Sequence, residues 1–214
     1  PAFLVITGDM ICSASLSFGH RPNAAQKKIA IKEFEALRDG LKKIERGVPV
    51  RFAPGNHDTY PGEVDVALLR SIFPEAKPYS TEVLAGVHLF FLNGGSSGSP
   101  DAKQQAWLNS QAKLVPAEAQ AVLFHHQPAL GSVVSERGLG AAVAKGFADH
   151  RGLMWMLAGH GHSNRDSVYQ LPNTTIVQTM MATCSPHYWG GSQKPGYWIY
   201  CLDNGVVKGR IYRR

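Results

Sequence analysis

Four short polar islands punctuate the apolar stretches of this sequence: Gly8-Asp9, Gly55-Asn56-His57-Asp58, His125-His126 and Gly159-His160-Gly161-His162. Each follows a run of apolar residues that reads as a strand, so each set of polar groups stands at a strand end, where a sheet presents ligands. Carboxylate, amide oxygen and imidazole gathered in one place suit neighbouring divalent cations and phosphoryl chemistry.

Taken singly, the residues carry different weights. Asp9 follows a glycine that lets the backbone turn, and a carboxylate is the group best able to bridge two cations; an aspartate capping a loop is the ordinary alternative. Asn56 offers a neutral oxygen that fills a coordination position without adding charge, although Gly-Asn turns are common for other reasons. His57-Asp58 has the logic of a proton donor beside an orienting carboxylate, which would fix the ring and raise its pKa. His160 and His162 alternate about Gly161, so both imidazoles can reach one pocket. His125 and His126 are neighbours and point to opposite faces of an extended chain. At most one of that pair is therefore a direct ligand.

The elements that must position these groups follow from the apolar pattern. Ala2–Thr7 is a continuous apolar run expected to be a strand buried on both faces. A helix is expected from about Ala24 to Arg46, with Ile29, Phe34, Leu37, Leu41 and Ile44 as its apolar stripe and Gly47 closing it. Val48–Ala53 is a second short strand, and a short helix is expected near Val64–Phe73. An edge-type strand pair spans about Tyr79–Leu84 and Val87–Leu92. Asp101 is placed to cap a helix running to about Leu114, with Trp107 and Leu108 facing the core. Ala121–Phe124 and Leu153–Ala158 are buried strands, separated by a helix over about Gly140–His150. Four strands close the chain: Ser167–Leu171, Thr174–Met181, Tyr197–Leu202 and Val206–Tyr212. Strand–helix alternation followed by consecutive strands gives an α/β fold with mixed sheets.

The bulk properties bound the function classes. At 214 residues, with 44% hydrophobic and 18% charged residues, the chain suits one sizeable core and does not read as disordered. No apolar run reaches the roughly 18 residues of a membrane span, so no membrane partner is expected. The net charge of +6 is mildly basic, with lysines concentrated on the first helix; a solvated helix face accounts for it better than a nucleic-acid patch. Cys12, Cys184 and Cys201 show no zinc spacing and no disulfide framework. No partner protein is evident, and no compartment is assigned. Pro1 lies inside an apolar strand, so further sequence is expected upstream of it.

As a set, Gly8-Asp9, Gly55-Asn56-His57-Asp58, His126-Gln127-Pro128 and Gly159-His160-Gly161-His162 resemble the calcineurin-like metallophosphoesterase superfamily, in order and over about residues 2–165. The resemblance implies a four-layer α-β-β-α sandwich with two mixed β-sheets, in a single domain over 1–214. It implies two divalent metal ions, whose identity among Mn, Fe, Zn, Ni, Co and Mg stays open. Asp9 would bridge them; Asn56, His126 and His160 would complete the second site, and His162 would ligate the first. His-x-Pro favours His126 over His125 as the ligand. His57 would meet the leaving group, held by Asp58. The implied reaction is hydrolysis of a small phosphate ester by attack of a metal-bound hydroxide, with a lean to phosphodiesters such as cyclic nucleotides. A phosphomonoesterase or a nuclease of the same superfamily is the alternative.

Two departures from the pattern matter. The family's Asp-x-His, two ligands of the first metal, is absent from the chain and would lie on a strand before Ala2–Thr7. The first site is thus only partly present, and a one-metal binding module or pseudoenzyme is a further reading. Cys12 stands where purple acid phosphatases carry a metal-bound tyrosine, which argues against an iron–tyrosinate site. Substrate selection falls to the rim loops. Arg21, Tyr60, His187 and Trp189 are the candidates there.

Overall fold

The computed structural model describes residues 3–11, 23–44, 47–59, 66–93, 100–128, 138–181 and 196–213. Ten strands and four helices lie within them: β1 (Leu4–Ile6), α1 (Ala24–Leu41), β2 (Val50–Phe52), α2 (Ala67–Ile72), β3 (Ser80–Leu84), β4 (Val87–Phe91), α3 (Ala102–Ala112), β5 (Ala121–His125), α4 (Gly138–Gly146), β6 (Met154–Ala158), β7 (Arg165–Gln170), β8 (Thr175–Met180), β9 (Tyr197–Asp203) and β10 (Val206–Arg213).

Six strands form one mixed sheet in the order β3-β4-β5-β6-β8-β7, parallel through β4, β5, β6 and β8 and antiparallel at both edges. Alternation sorts its side chains onto two faces. Phe90, Leu92, Leu123, Met154 and Met156 face α3 and α4, packing on Leu108, Leu139, Val143 and Phe147. Leu89, Phe91, Val122, Phe124 and Leu157 face the other way, toward Val5 of β1 and Phe3 just before it and toward Tyr200, Leu202 and Val207 of the β9–β10 hairpin. A third cluster joins β1 and β2 to α1 and α2 through Phe34, Phe52, Leu69 and Phe73. Three cores between four layers make the α-β-β-α order expected from the sequence. The second sheet stands as two pieces among the described residues: the parallel pair β1–β2 and the antiparallel hairpin β9–β10. Truncating a fully buried aromatic such as Phe34 to Ala would cost about 3–5 kcal/mol.

Three local expectations are corrected. The first helix stops at Leu41, not Arg46, because Lys43 and Ile44 donate to Gly40 and Leu41 in i→i+3 bonds that tighten the last turn. Its buried face is Ala30-Phe34-Leu37-Leu41, spaced for one side of a helix; Ile29 and Ile44 fall outside it and are each 52% exposed. β1 is half-buried rather than buried on both faces, with β2 as its neighbour among the described residues. Asp101 caps α3 as expected, its carboxylate accepting the Gln104 amide at 2.7 Å. Leu108 is buried beneath it, and Trp107 packs between Tyr79 and Phe90.

Candidate metal centre

Parallel strands carry their C-terminal ends to one rim, and the islands follow β1, β2, β5 and β6 there. The chain turns sharply at each. Gly8 has φ 85, and Asp9, His160 and His162 are left-handed as well, at φ 50, 62 and 49. Non-glycine residues adopt that region seldom, and such strain clusters where a side chain must be aimed. Gly8 is required for a second reason: a Cβ there would lie 2.6 Å from both the Gly55 amide nitrogen and His126 Nδ1. The loops after β1 and β2 therefore meet backbone to backbone.

Four side chains converge at this rim. His126 Nε2 lies 3.0 Å from Asp9 Oδ2, 3.1 Å from Asn56 Oδ1 and 3.2 Å from His160 Nδ1. Asn56 Oδ1 is in turn 3.0 Å from His160 Nδ1. His126 Nδ1 sits 2.8 Å from the Thr7 carbonyl, which can only accept, so that nitrogen carries the proton. In the neutral ring Nε2 then presents a lone pair to three other acceptor-bearing atoms. Protons on Nε2 and on His160 Nδ1 would link the group pairwise, whereas a divalent cation satisfies the set at once. The donor chemistry fits a metal ion, with nitrogen and oxygen ligands and a buried ring whose outer nitrogen is fixed by a carbonyl.

The electrostatics point the same way. Burial works against the carboxylate of Asp9, but the hydrogen bond and charge of His126 hold it below the usual carboxylate range. Burial likewise opposes charge on His126, yet Asp9 leaves it above an ordinary histidine. Burial and the neighbouring charge of His126 lower His160. Among the described residues no lysine or arginine bonds to Asp9; its partners are His126 and His57.

The remaining candidates divide. His57 donates its amide to Asp9 Oδ1 at 3.0 Å, and its ring Nε2 lies 4.0 Å from Asp9 Oδ2, part exposed at 28%. Asp58 does not hold that ring. It is buried, and its oxygens accept the Met10 and Gly55 amides at 2.8 Å each, while His57 Nδ1 is buried without a hydrogen-bond partner among the described residues. Burial pushes Asp58 up to about 6, against the Gly55 hydrogen bond. His125 points away from the cluster, as β5 alternation requires: fully buried, its Nδ1 donates to the Gln127 carbonyl at 2.6 Å, and burial lowers it to about 4. His162 is outside the converging group, though its charge bears on His160. Arg21, Tyr60, His187 and Trp189, and Cys12, lie outside the described residues. The Thr7 carbonyl and the Met10 and Gly55 amides are not legible in the sequence. Main-chain groups leave no side-chain signal, and the lack of a side chain at Gly8 and Gly55 was the one trace of them.

Comparison with known proteins converges on one group. Residues 1–164 match the family described as calcineurin-like phosphoesterase. Over 202 residues the chain is 25% identical to the serine/threonine-protein phosphatase CPPED1 of Pongo abelii and 26% identical to that of Homo sapiens. Each match covers 86% of this chain, which spans 60% of the length of those relatives. The fold is similar to a dimetal phosphatase from Danio rerio, with a TM-score of 0.57 at 14% identity, covering 83% of this chain and 71% of the other.

Proposed function

The chain belongs to the calcineurin-like phosphoesterase family, and from that premise we propose that it hydrolyses phosphate esters with divalent cations held at the strand-end cluster. The carrying observation is the convergence of Asp9, Asn56, His126 and His160, four ligand-bearing side chains with no lysine or arginine bonded to Asp9 among the described residues. Those four would hold one cation; Asp9 and His162 would face a second. Bound there, divalent cations lower the pKa of a coordinated water and offset charge on phosphate oxygens.

The chain's own residues do the rest. Thr7 fixes the tautomer of His126, so that Nε2 faces the cluster. The His57 amide occupies Oδ1 of Asp9 and leaves Oδ2 toward His126. The His57 ring, part exposed with Nε2 4.0 Å from Asp9 Oδ2, would meet the leaving-group oxygen as acid or electrostatic stabiliser. For the substrate, the reading is a phosphomonoester, because the matched relatives are named serine/threonine-protein phosphatases.

The test compares p-nitrophenyl phosphate with bis(p-nitrophenyl) phosphate, using protein loaded with Mn²⁺ or Zn²⁺. Hydrolysis that a chelator abolishes and added metal restores is expected, with the monoester faster. A faster diester would return the substrate to the small phosphodiesters suggested by the sequence. Metal-replete protein that turns over neither ester would reduce the chain to a metal-binding module.

A further inference from the structure

Asp58 bonds to both of the loops that carry the oxygen ligands. Its Oδ1 accepts the Met10 amide and its Oδ2 the Gly55 amide, each at 2.8 Å. Met10 directly follows Asp9, and Gly55 directly precedes Asn56. Asp9 is held at φ 50, in the left-handed region that residues with a side chain seldom adopt. The next amide along, that of Met10, is the one Asp58 binds. With the turn so fixed, Asp9 sends Oδ1 to the His57 amide and Oδ2 toward His126.

A buried carboxylate is expensive unless main-chain donors satisfy it. Here each oxygen has a donor, and neither reaches the His57 ring. Asparagine would be a poor substitute despite its shape. It keeps one acceptor oxygen and turns an NH₂ group against the other main-chain N–H, donor against donor.

We infer that Asp58 is a positioning residue for the cation site, a two-point clasp that locks the left-handed turn at Asp9 to the loop bearing Asn56, and that it acts through those two ligands rather than through His57. The inference rests on reading the cluster as a cation site, but its test does not depend on turnover.

Amide hydrogen exchange on metal-free protein is the first readout. The Met10 and Gly55 amides are protected in the wild type, and in Asp58→Asn they exchange at least about tenfold faster, while amides of the β4–β5 ladder hold their rates. Unprotected Met10 and Gly55 amides in the wild type would overturn the inference even if the variant failed to fold. The second readout is Zn²⁺ or Mn²⁺ affinity by calorimetry, which falls about 10- to 100-fold in Asp58→Asn, as for other groups that orient metal ligands. Thr174→Val removes a buried hydroxyl bonded to Gly152, outside the site; it lowers the melting temperature and leaves metal affinity alone. The third readout is a double-mutant cycle with His57→Ala, in which the affinity losses add. Unchanged metal affinity in Asp58→Asn, with an effect on kcat that vanishes in the His57→Ala background, would place Asp58 behind His57 and sink the clasp. Protein that binds metal but hydrolyses nothing would refute the proposed function and leave this inference standing.

Discussion

Two acidic clusters in this molecule differ in the source of their counter-charge. Asp166 on β7 is gripped by Arg210 of β10 through both carboxylate oxygens, and the Thr179 hydroxyl bridges the pair, 2.9 Å from Asp166 and 2.6 Å from Arg210. The guanidinium also lies 4.7 Å from the Trp198 ring centre and 5.6 Å from that of Trp155. This carboxylate has a cation built into the chain, and the result is a staple between the hairpin and the large sheet. Asp9 has instead the His57 main-chain N–H on Oδ1 and the His126 ring on Oδ2, with no lysine or arginine bonded to it among the described residues; Asn56 Oδ1 and His160 Nδ1 gather at the same His126 nitrogen. A carboxylate paired with arginine completes a fold, whereas one grouped with imidazoles and an amide oxygen, and with no fixed cation beside it, suits a cation from solution. Under the proposed function, that contrast separates a structural acid from a metal ligand.

The sharpest way to break the contrast is to remove one group from the Asp9 cluster. His126→Ala or Asp9→Ala should lower kcat/KM by about a thousandfold or more, since several kcal/mol of charge stabilisation is lost with the cation. Calorimetric titration with Zn²⁺ should show the binding gone while circular dichroism is retained. Near-normal metal binding in either variant would mean that the convergence of ligand atoms has been misread.

How much of this was legible beforehand depends on which part of a residue carries the information. The strand-end islands and the family pattern were readable because side-chain type and spacing carry them. Buried strands such as β5, expected over Ala121–Phe124 and found over Ala121–His125, were equally clear from continuous apolar runs. The partners of Asp58 are not legible in the sequence because they are the main-chain amides of Met10 and Gly55, one of them 48 residues away. The separation of His125 from His126 was foreseeable in kind, since neighbours on a strand face opposite ways, but the register that decides between them is tertiary. The end of α1 was missed because the i→i+3 turn at Lys43 and Ile44 has no compositional marker.

His125 offers the next test, as a third kind of buried polar group that has neither arginine nor metal. Burial lowers it from 6.5 to about 4, so the folded protein holds it neutral while the unfolded chain protonates first. Its contribution to stability is fully present above pH 6.5 and is lost as pH falls toward 4, by about 3 kcal/mol over the window. Denaturant unfolding of chelator-treated wild type and His125→Gln at stepped pH isolates it. The variant should lack that part of the slope, whereas His126, raised by Asp9, responds in the opposite direction in both proteins. Parallel pH profiles would show that His125 is not held neutral.

Metal removal probes the Asp9 cluster alone. At a free metal concentration of 100 times Kd the folded state gains about 2.7 kcal/mol, a rise of roughly 5–10 °C in Tm for a chain of this size. Arg210→Met should keep that increment and His126→Ala should lose it. An equal increment in all three proteins would point to metal binding elsewhere.

Arg210→Met is the smallest of these changes and completes the contrast from the other side. The substitution removes both bonds to Asp166 and the stacking on Trp198. The side chain of Asp166 is 44% exposed, so water takes back much of what the guanidinium held and the loss is that of a partly buried ion pair, about 2 kcal/mol with the ring contact included. Metal affinity should stay within about twofold, because among the described residues Arg210 shares no bonding partner with Asp9, Asn56, His126 or His160. Urea unfolding beside a metal titration gives both numbers from one preparation. If affinity fell with stability, the two acidic clusters would be coupled through β8, and the division between the acid that builds the fold and the acid that binds the cation would have to be redrawn.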